Sequence, residues 1–157
     1  MQVAFYSLLT LVSLLIFYQD LKDRLVSLWV LLLYAGLIIS YTIYEKGIDI
    51  ILQNAISTVA YFALCFGIIF LYYFIKERQF PKIMDVKLGW ADVIICLSIG
   101  ISLDLLLLVL FFTVSFVISA IIGIVLQSRN KTVPLAGFLV ILYLVFIPMR
   151  NINWLNF

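Results

Sequence analysis

Residues 105–126 read LLLLVLFFTVSFVISAIIGIVL, with no charged side chain among them. A helix of about 20 apolar residues matches the ~30 Å hydrocarbon core of a bilayer, where the absence of water obliges every backbone polar group to bond internally. The segment therefore predicts a membrane-spanning helix. The remainder of the chain has the same character: of 157 residues, 66% are hydrophobic and 11% charged, with a mean hydropathy of +1.25, where soluble domains carry about 25% charged residues. Further apolar runs lie at 3–18, 25–44, 48–75, 91–103 and 135–147. The expected fold is thus all-α, a polytopic integral membrane protein with about six transmembrane helices forming a single membrane-embedded domain over residues 1–157. The fourth and sixth runs are short, the fourth about 20 Å long at a rise of ~1.5 Å per residue, and are expected to be buried among the others or to begin inside the interface. Gly100, Ser102 and Asp104 supply the only turn signal between the fourth and fifth runs, so two helices or one long bent helix both fit there.

Orientation follows from the basic residues, because cytoplasmic loops are enriched in lysine and arginine. Of the 10 present, only Lys46 and Arg150 fall on one side. Lys22, Arg24, Lys76, Arg78, Lys82, Lys87, Arg129 and Lys131 fall on the other. The expectation is a multi-pass protein with both termini outside and the loop 76–88, with Pro81, lying along anionic headgroups. Tyr18, Trp29, Tyr44, Tyr72, Tyr73, Trp90 and Trp154 read as interface anchors. The first run lacks a basic segment before it and a small-residue cleavage site after it, so it is expected to remain as the first span.

Several function classes drop out. A net charge of +2 without a basic stripe gives no nucleic-acid partner, and no Walker loop or dinucleotide fingerprint is present, so no nucleotide is expected. There is no histidine and no CxxC pair; Cys65 and Cys96 lie inside apolar runs and read as small packing residues, with no metal site and no cofactor implied. Without histidine or G-x-S-x-G a serine nucleophile has no base, and Ser7, Ser13, Ser98 and Ser119 read as packing or backbone-bonded hydroxyls.

What remains to explain is a pair of acids. Asp20 and Asp92 each stand at the edge of an apolar run, on the same cytoplasmic side. A carboxylate near hydrocarbon costs about 2.5–3.5 kcal/mol on insertion scales, so an acid there calls for a partner, water or a role. The bland account is that both cap helix ends where water is at hand. Asp104, on the outer side, reads as a turn residue; Asp23 reads as a surface partner of Lys22 or Arg24; Asp85 reads as a solvated loop acid.

The flanking residues sharpen the picture. Asp20-Leu21-Lys22-Asp23-Arg24-Leu25-Val26-Ser27 follows the first run, and Gly89-Trp90-Ala91-Asp92 opens the fourth, with Gly100 eight residues beyond Asp92. This pattern resembles the type IV prepilin peptidases and archaeal preflagellin peptidases, membrane aspartyl proteases of the GxGD group. In them a first aspartate ends a span before a basic residue and an Ile-Pro-Asn turn, and a second closes Gly-x-Gly-Asp at the start of a short helix. Asp20, Arg24 and Val26 match the first motif, Gly89, Asp92 and Gly100 the second, and Lys131-Thr132-Val133-Pro134-Leu135 resembles the approach to the last helix. Three positions depart: Ser27 replaces proline, Ala91 replaces the second glycine, and Ile94 replaces a lysine. Ala91 bears on activity most, because glycine permits dihedrals and close approaches that alanine does not.

The resemblance implies an aspartic endopeptidase, with Asp20 and Asp92 catalytic and Gly89, Ala91, Gly100 and Arg24 in support. It implies a membrane-inserted prepilin-like or preflagellin-like precursor as partner, cut between a basic leader and its apolar helix at the cytoplasmic face of the plasma membrane, in type IV pilus or protein-secretion systems. Bifunctional relatives carry an added cytoplasmic domain with paired cysteines; nothing here corresponds to it, so methyl transfer is not expected. Hydrolysis by two carboxyls requires one to deprotonate water and the other to protonate the substrate, and neighbouring acids share one proton. On its own helix Asp92 meets the positive dipole end and Asp20 the negative, which assigns Asp92 as base and Asp20 as proton donor. The alternative is a non-catalytic membrane protein, either a degenerate relative in secretion assembly or a small ion-coupled transporter; a transporter would favour acids nearer mid-membrane and repeat symmetry between halves, neither of which is visible.

Overall fold

The computed structural model describes residues 2–23, 25–77, 89–127 and 135–151, and all regular structure among them is helical. The helices are α1 (Gln2–Lys22), α2 (Leu28–Lys46), α3 (Ile48–Glu77), α4 (Trp90–Ser102), α5 (Leu105–Gln127) and α6 (Leu135–Asn151). Four contain windows long and apolar enough to cross a bilayer, Ala4–Lys22, Leu28–Lys46, Ile48–Ile68 and Leu105–Ile122, and no more than 28% of any window is buried inside the protein. Outward-facing leucine, isoleucine and phenylalanine on these helices suit lipid, not water. The protein is a polytopic, all-α membrane protein. Tyr18, Trp29, Tyr44 and Trp90 are all exposed near helix ends, as interface anchors require.

The two short helices lie inside the bundle, as their length demands. α4 packs against α2, α3 and α6, and α6 packs against α1, α4 and α5. Ile95, Ile99, Leu139 and Val140 from these two helices are fully buried, with Ile16 of α1 and Phe112 of α5.

Two boundaries near Asp20 differ from the apolar runs, and the open one between the fourth and fifth runs is decided in favour of two helices. α1 continues past Tyr18 to Lys22, because helix geometry tolerates the polar residues that end the run, so Asp20 is inside the helix and not beyond it. α2 begins at Leu28 and not at residue 25, since Ser27 is extended (φ −61, ψ 131) and its N–H donates to the Gln19 side-chain oxygen at 2.9 Å. α4 and α5 are two helices: Leu103 turns extended (φ −105, ψ 141), and Asp104 then accepts the Leu108 N–H at 2.8 Å to start α5. Between α2 and α3 the chain reverses at a single residue, Gly47, whose φ of 84 is a conformation that side-chain-bearing residues rarely adopt.

A helix that ends within the membrane leaves carbonyls without partners. At the C-terminal end of α4 these are met by polar side chains from α2 and α3. The Asn54 amide donates to Ile101 O at 3.2 Å, Lys46 Nζ to Ser102 O at 3.4 Å, and Lys46 forms an ion pair with Asp104 at 2.8 Å. Ser102 Oγ also bonds Tyr143 OH of α6 at 2.6 Å. Asn54 is 5% exposed. Asn54→Leu is expected to strand the Ile101 carbonyl and lower stability by about 1–3 kcal/mol, read as the unfolding midpoint of detergent-solubilised protein; an unchanged midpoint would show that this clasp contributes nothing.

The adjoining α3–α4 contact is tight. A Cβ on Gly100 would overlap the Thr58 methyl and come to 2.9 Å from its hydroxyl, so the close approach of the helices depends on the missing side chain. Gly100 acts in packing at the end of α4 remote from Asp92, roughly 12 Å along the helix at ~1.5 Å per residue.

Candidate active site

Asp92 owes its position to the start of α4. Gly89 is the N-cap (φ −75, ψ 142), and Asp92, three residues on, turns its carboxylate back to accept the Gly89 N–H at 3.3 Å. This is the carboxylate half of a capping box, and glycine leaves room for it: a Cβ on Gly89 would sit 3.2 Å from the carboxylate oxygen. Ala91 occupies an ordinary helical position with its methyl packed on the core, so this turn makes no demand for glycine dihedrals. The departure from the family motif at position 91 is therefore accommodated by the backbone.

Asp20 is reached from the opposite direction. It lies in the last turns of α1, only 7% exposed, and its carboxylate oxygen accepts the Gly137 N–H at 2.7 Å. Gly137 stands in the first turn of α6, where N–H groups have no partner within their own helix. Asp92, from α4, lies close enough to this end of α6 for Ala136 and Asp20 to act on it electrostatically. The N-terminal turn of α6 thus holds the carboxyl of Asp20 from α1, with Asp92 of α4 within reach of its charge.

Both acids were legible in the sequence; the element joining them was not. The motif comparison reached Pro134 and Leu135 but stopped short of Ala136 and Gly137. The available signal was a glycine in the first turn of a helix, where its helix-weakening cost calls for a reason. That reason is contact: a Cβ on Gly137 would lie 3.0 Å from the Phe17 ring, 3.3 Å from Phe17 Cα and 3.2 Å from the Asp20 carboxylate. Phe17 and Phe138 close the same junction edge to face at 6.0 Å.

Taken from α1 and α4 alone, helix dipoles distinguish the two acids. α6 also presents its N-terminal N–H groups, one of which bonds Asp20, so the dipole ends of α1 and α4 are not the only ones that act here.

The other expected residues separate clearly. Gly89 belongs to the site, Ala91 borders it, and Gly100 lies along α4 from it in the Thr58 contact. Asp104 is a turn residue paired with Lys46, and Asp23 is an exposed turn residue beyond α1. Arg24, Asp85 and residues 131–134 lie outside the described residues. The Ser7 and Ser98 hydroxyls bond carbonyls of their own helices, at 2.9 and 2.7 Å. Cys65 and Cys96 both line a cavity whose wall includes Asp92.

No curated protein and no solved structure matches the chain. The sequence profile described as the type IV leader peptidase family matches residues 7–124, three quarters of the chain and the part that contains both Asp20 and Asp92. The chain belongs to the type IV leader peptidase family.

Proposed function

We propose that this protein is an aspartyl endopeptidase that removes the short basic leader of pilin-like or flagellin-like precursors inserted in the plasma membrane, with its aspartate pair at the cytoplasmic face. Membership of a leader peptidase family supports peptidase activity in general. The observation that carries the finer reading is the Asp20 carboxylate held on the Gly137 amide at the start of α6, with Asp92 at the start of α4 within reach of its charge.

Two carboxyls set this way hold one proton between them. The ionised member takes a proton from water as its oxygen attacks the scissile carbonyl, and the protonated member gives its proton to the carbonyl oxygen. When the tetrahedral gem-diol collapses, the C–N bond breaks, the leaving amine takes the proton from one carboxyl, and a gem-diol hydroxyl returns its proton to the other as the new carboxyl product forms, so the pair again holds one proton. The Gly137 amide keeps Asp20 in place and the Gly89 amide keeps Asp92 in place, neither of them titrating. A precursor anchored by its apolar segment brings the leader junction to the same depth as the pair, so membrane insertion itself supplies proximity.

The test is processing of a co-expressed, tagged pilin-like precursor, read as the mass lost at the leader junction. Cleavage is expected to survive chelators. It should follow a bell-shaped pH profile, falling at high pH as the shared proton leaves and at low pH as a second proton arrives. No processing in any such precursor would favour the non-catalytic reading; loss on chelation would replace the aspartyl mechanism by a metal-dependent one.

A further inference from the structure

Beside Asp92 lies a cavity of about 200 Å³ lined by Phe62, Cys65 and Phe66 of α3, Cys96 of α4 and Phe116 of α5, with Asp92 itself part of the wall. Asp92 is the one acidic residue among these, and the two thiols are small enough to leave the space open. A second cavity of about 270 Å³, between α5 and α6, has no titratable group on it and offers no chemistry.

We infer that the cavity beside Asp92 is a specificity pocket for the substrate: it takes the apolar side chain of the residue that follows the scissile bond, the first residue of the precursor's hydrophobic helix. The inference rests on the peptidase reading above and adds which substrate feature is measured, and by which residues.

Three observations support that occupant. The size fits, since an apolar protein cavity of about 150 Å³ takes up benzene, so the present volume accommodates one large aliphatic or aromatic side chain. The chemistry selects the mature side of the bond, because a basic leader has nothing to gain from walls of phenylalanine and cysteine, whereas an apolar helix does. The position is suitable too. Asp92 is itself part of the wall, together with Leu135 from the first turn of α6, so a side chain seated there lies beside Asp92. Phe116 is 37% exposed on the lipid-facing flank, which lets a helix lying in the bilayer direct its first residue inward.

Filling this pocket costs nothing in water exposure for the substrate, whose side chain comes from lipid. Its contribution is therefore placement of the bond more than affinity, and it should appear in kcat/KM for competing substrates. The experiment compares two tagged precursors that differ only in the first residue of the apolar helix, Leu or Ala, processed by full-length protein in membranes. Cys65→Leu partly fills the pocket and is expected to lower the Leu-to-Ala ratio of kcat/KM by about tenfold, within the range that one or two methylenes command in an apolar pocket. Phe116→Ala enlarges it from the lipid side, where folding is least at risk, and is expected to improve cleavage of a third precursor with Trp at that position relative to Leu. Ratios that stay within about twofold of wild type in both variants, the result if a lipid chain and not substrate fills the space, would overturn the pocket assignment. Asp20→Asn and Asp92→Asn run in parallel. Full cleavage by either would instead overturn the aspartyl mechanism, so the two failures are distinct.

Discussion

Asp20→Asn and Asp92→Asn are each expected to lower precursor cleavage by about 10²–10⁴-fold, the span that a positioned general acid or base supplies. The substitutions isolate chemistry from architecture. Asparagine keeps a side-chain oxygen that can accept the Gly137 N–H now held by Asp20 at 2.7 Å, or the Gly89 N–H now held by Asp92 at 3.3 Å. The folded yield and the thermal midpoint in detergent should therefore stay near those of the wild type. Removal of either carboxyl leaves its partner without the acid or base with which it shares a proton, so the double variant should be hardly worse than the single ones. The same experiment weighs the bland account of these residues. Asparagine caps helices about as well as aspartate, and if the two acids only satisfied helix ends, cleavage would survive both changes. Wild-type rates in either variant would remove that residue from the mechanism.

Gly137→Ala is expected to produce the second large effect, at a position with no reactive group. The added methyl would meet the Phe17 ring at 3.0 Å, Phe17 Cα at 3.3 Å and the Asp20 carboxylate at 3.2 Å. A ring can rotate aside, but backbone moves only with its helix, so α1 and α6 must separate by a few tenths of an ångström and Asp20 must shift on its amide. Misplacement of a catalytic group by about 1 Å costs about 10²-fold, and a smaller shift a part of that, so kcat should fall by roughly 10–100-fold. The overpacking itself costs about 1–3 kcal/mol of stability. Gly36→Ala serves as the control, because a Cβ there meets nothing within 4 Å; it should leave cleavage unchanged and cost no stability in a helix where alanine is the better former. Equal activity in Gly137→Ala and Gly36→Ala would show that the α1–α6 junction does not position the pair.

The parts of this molecule that sequence reading found, and those it did not, divide along a physical line. Helix count and type follow from local composition: the uncharged stretch 105–126 has no other stable state in a membrane, and α5 spans Leu105–Gln127 accordingly. The burial of the short helix α4 follows from its length alone. Asp20 and Asp92 were conspicuous because charge in an apolar chain is costly and their neighbours repeat a family pattern. Asn54 was missed although the same argument applied to it, a polar residue well inside an apolar run. Its role is to satisfy Ile101 O, on a helix that begins 36 residues later (Asn54 to Trp90), and no local signal announces such a partner. Boundaries shifted where single bonds decide them, as where Gln19 holds the Ser27 N–H and delays α2 to Leu28.

The amino-acid sequence by itself settled that this chain lives in a bilayer as a helical bundle and that two acids stand at the ends of its apolar runs, because both depend on the cost of transferring particular side chains and peptide groups from water. Only the tertiary structure decided what holds Asp20. Gly137 is 117 positions from Asp20 in the chain, and the bond between them exists because two helices touch where one lacks a side chain. The cavity beside Asp92 likewise belongs to no segment, since α3, α4 and α5 each contribute part of its wall and none encodes the space left between them. Periodicity and composition report what each residue prefers, whereas convergence is a property of how helices pack, and it becomes visible only once they have packed.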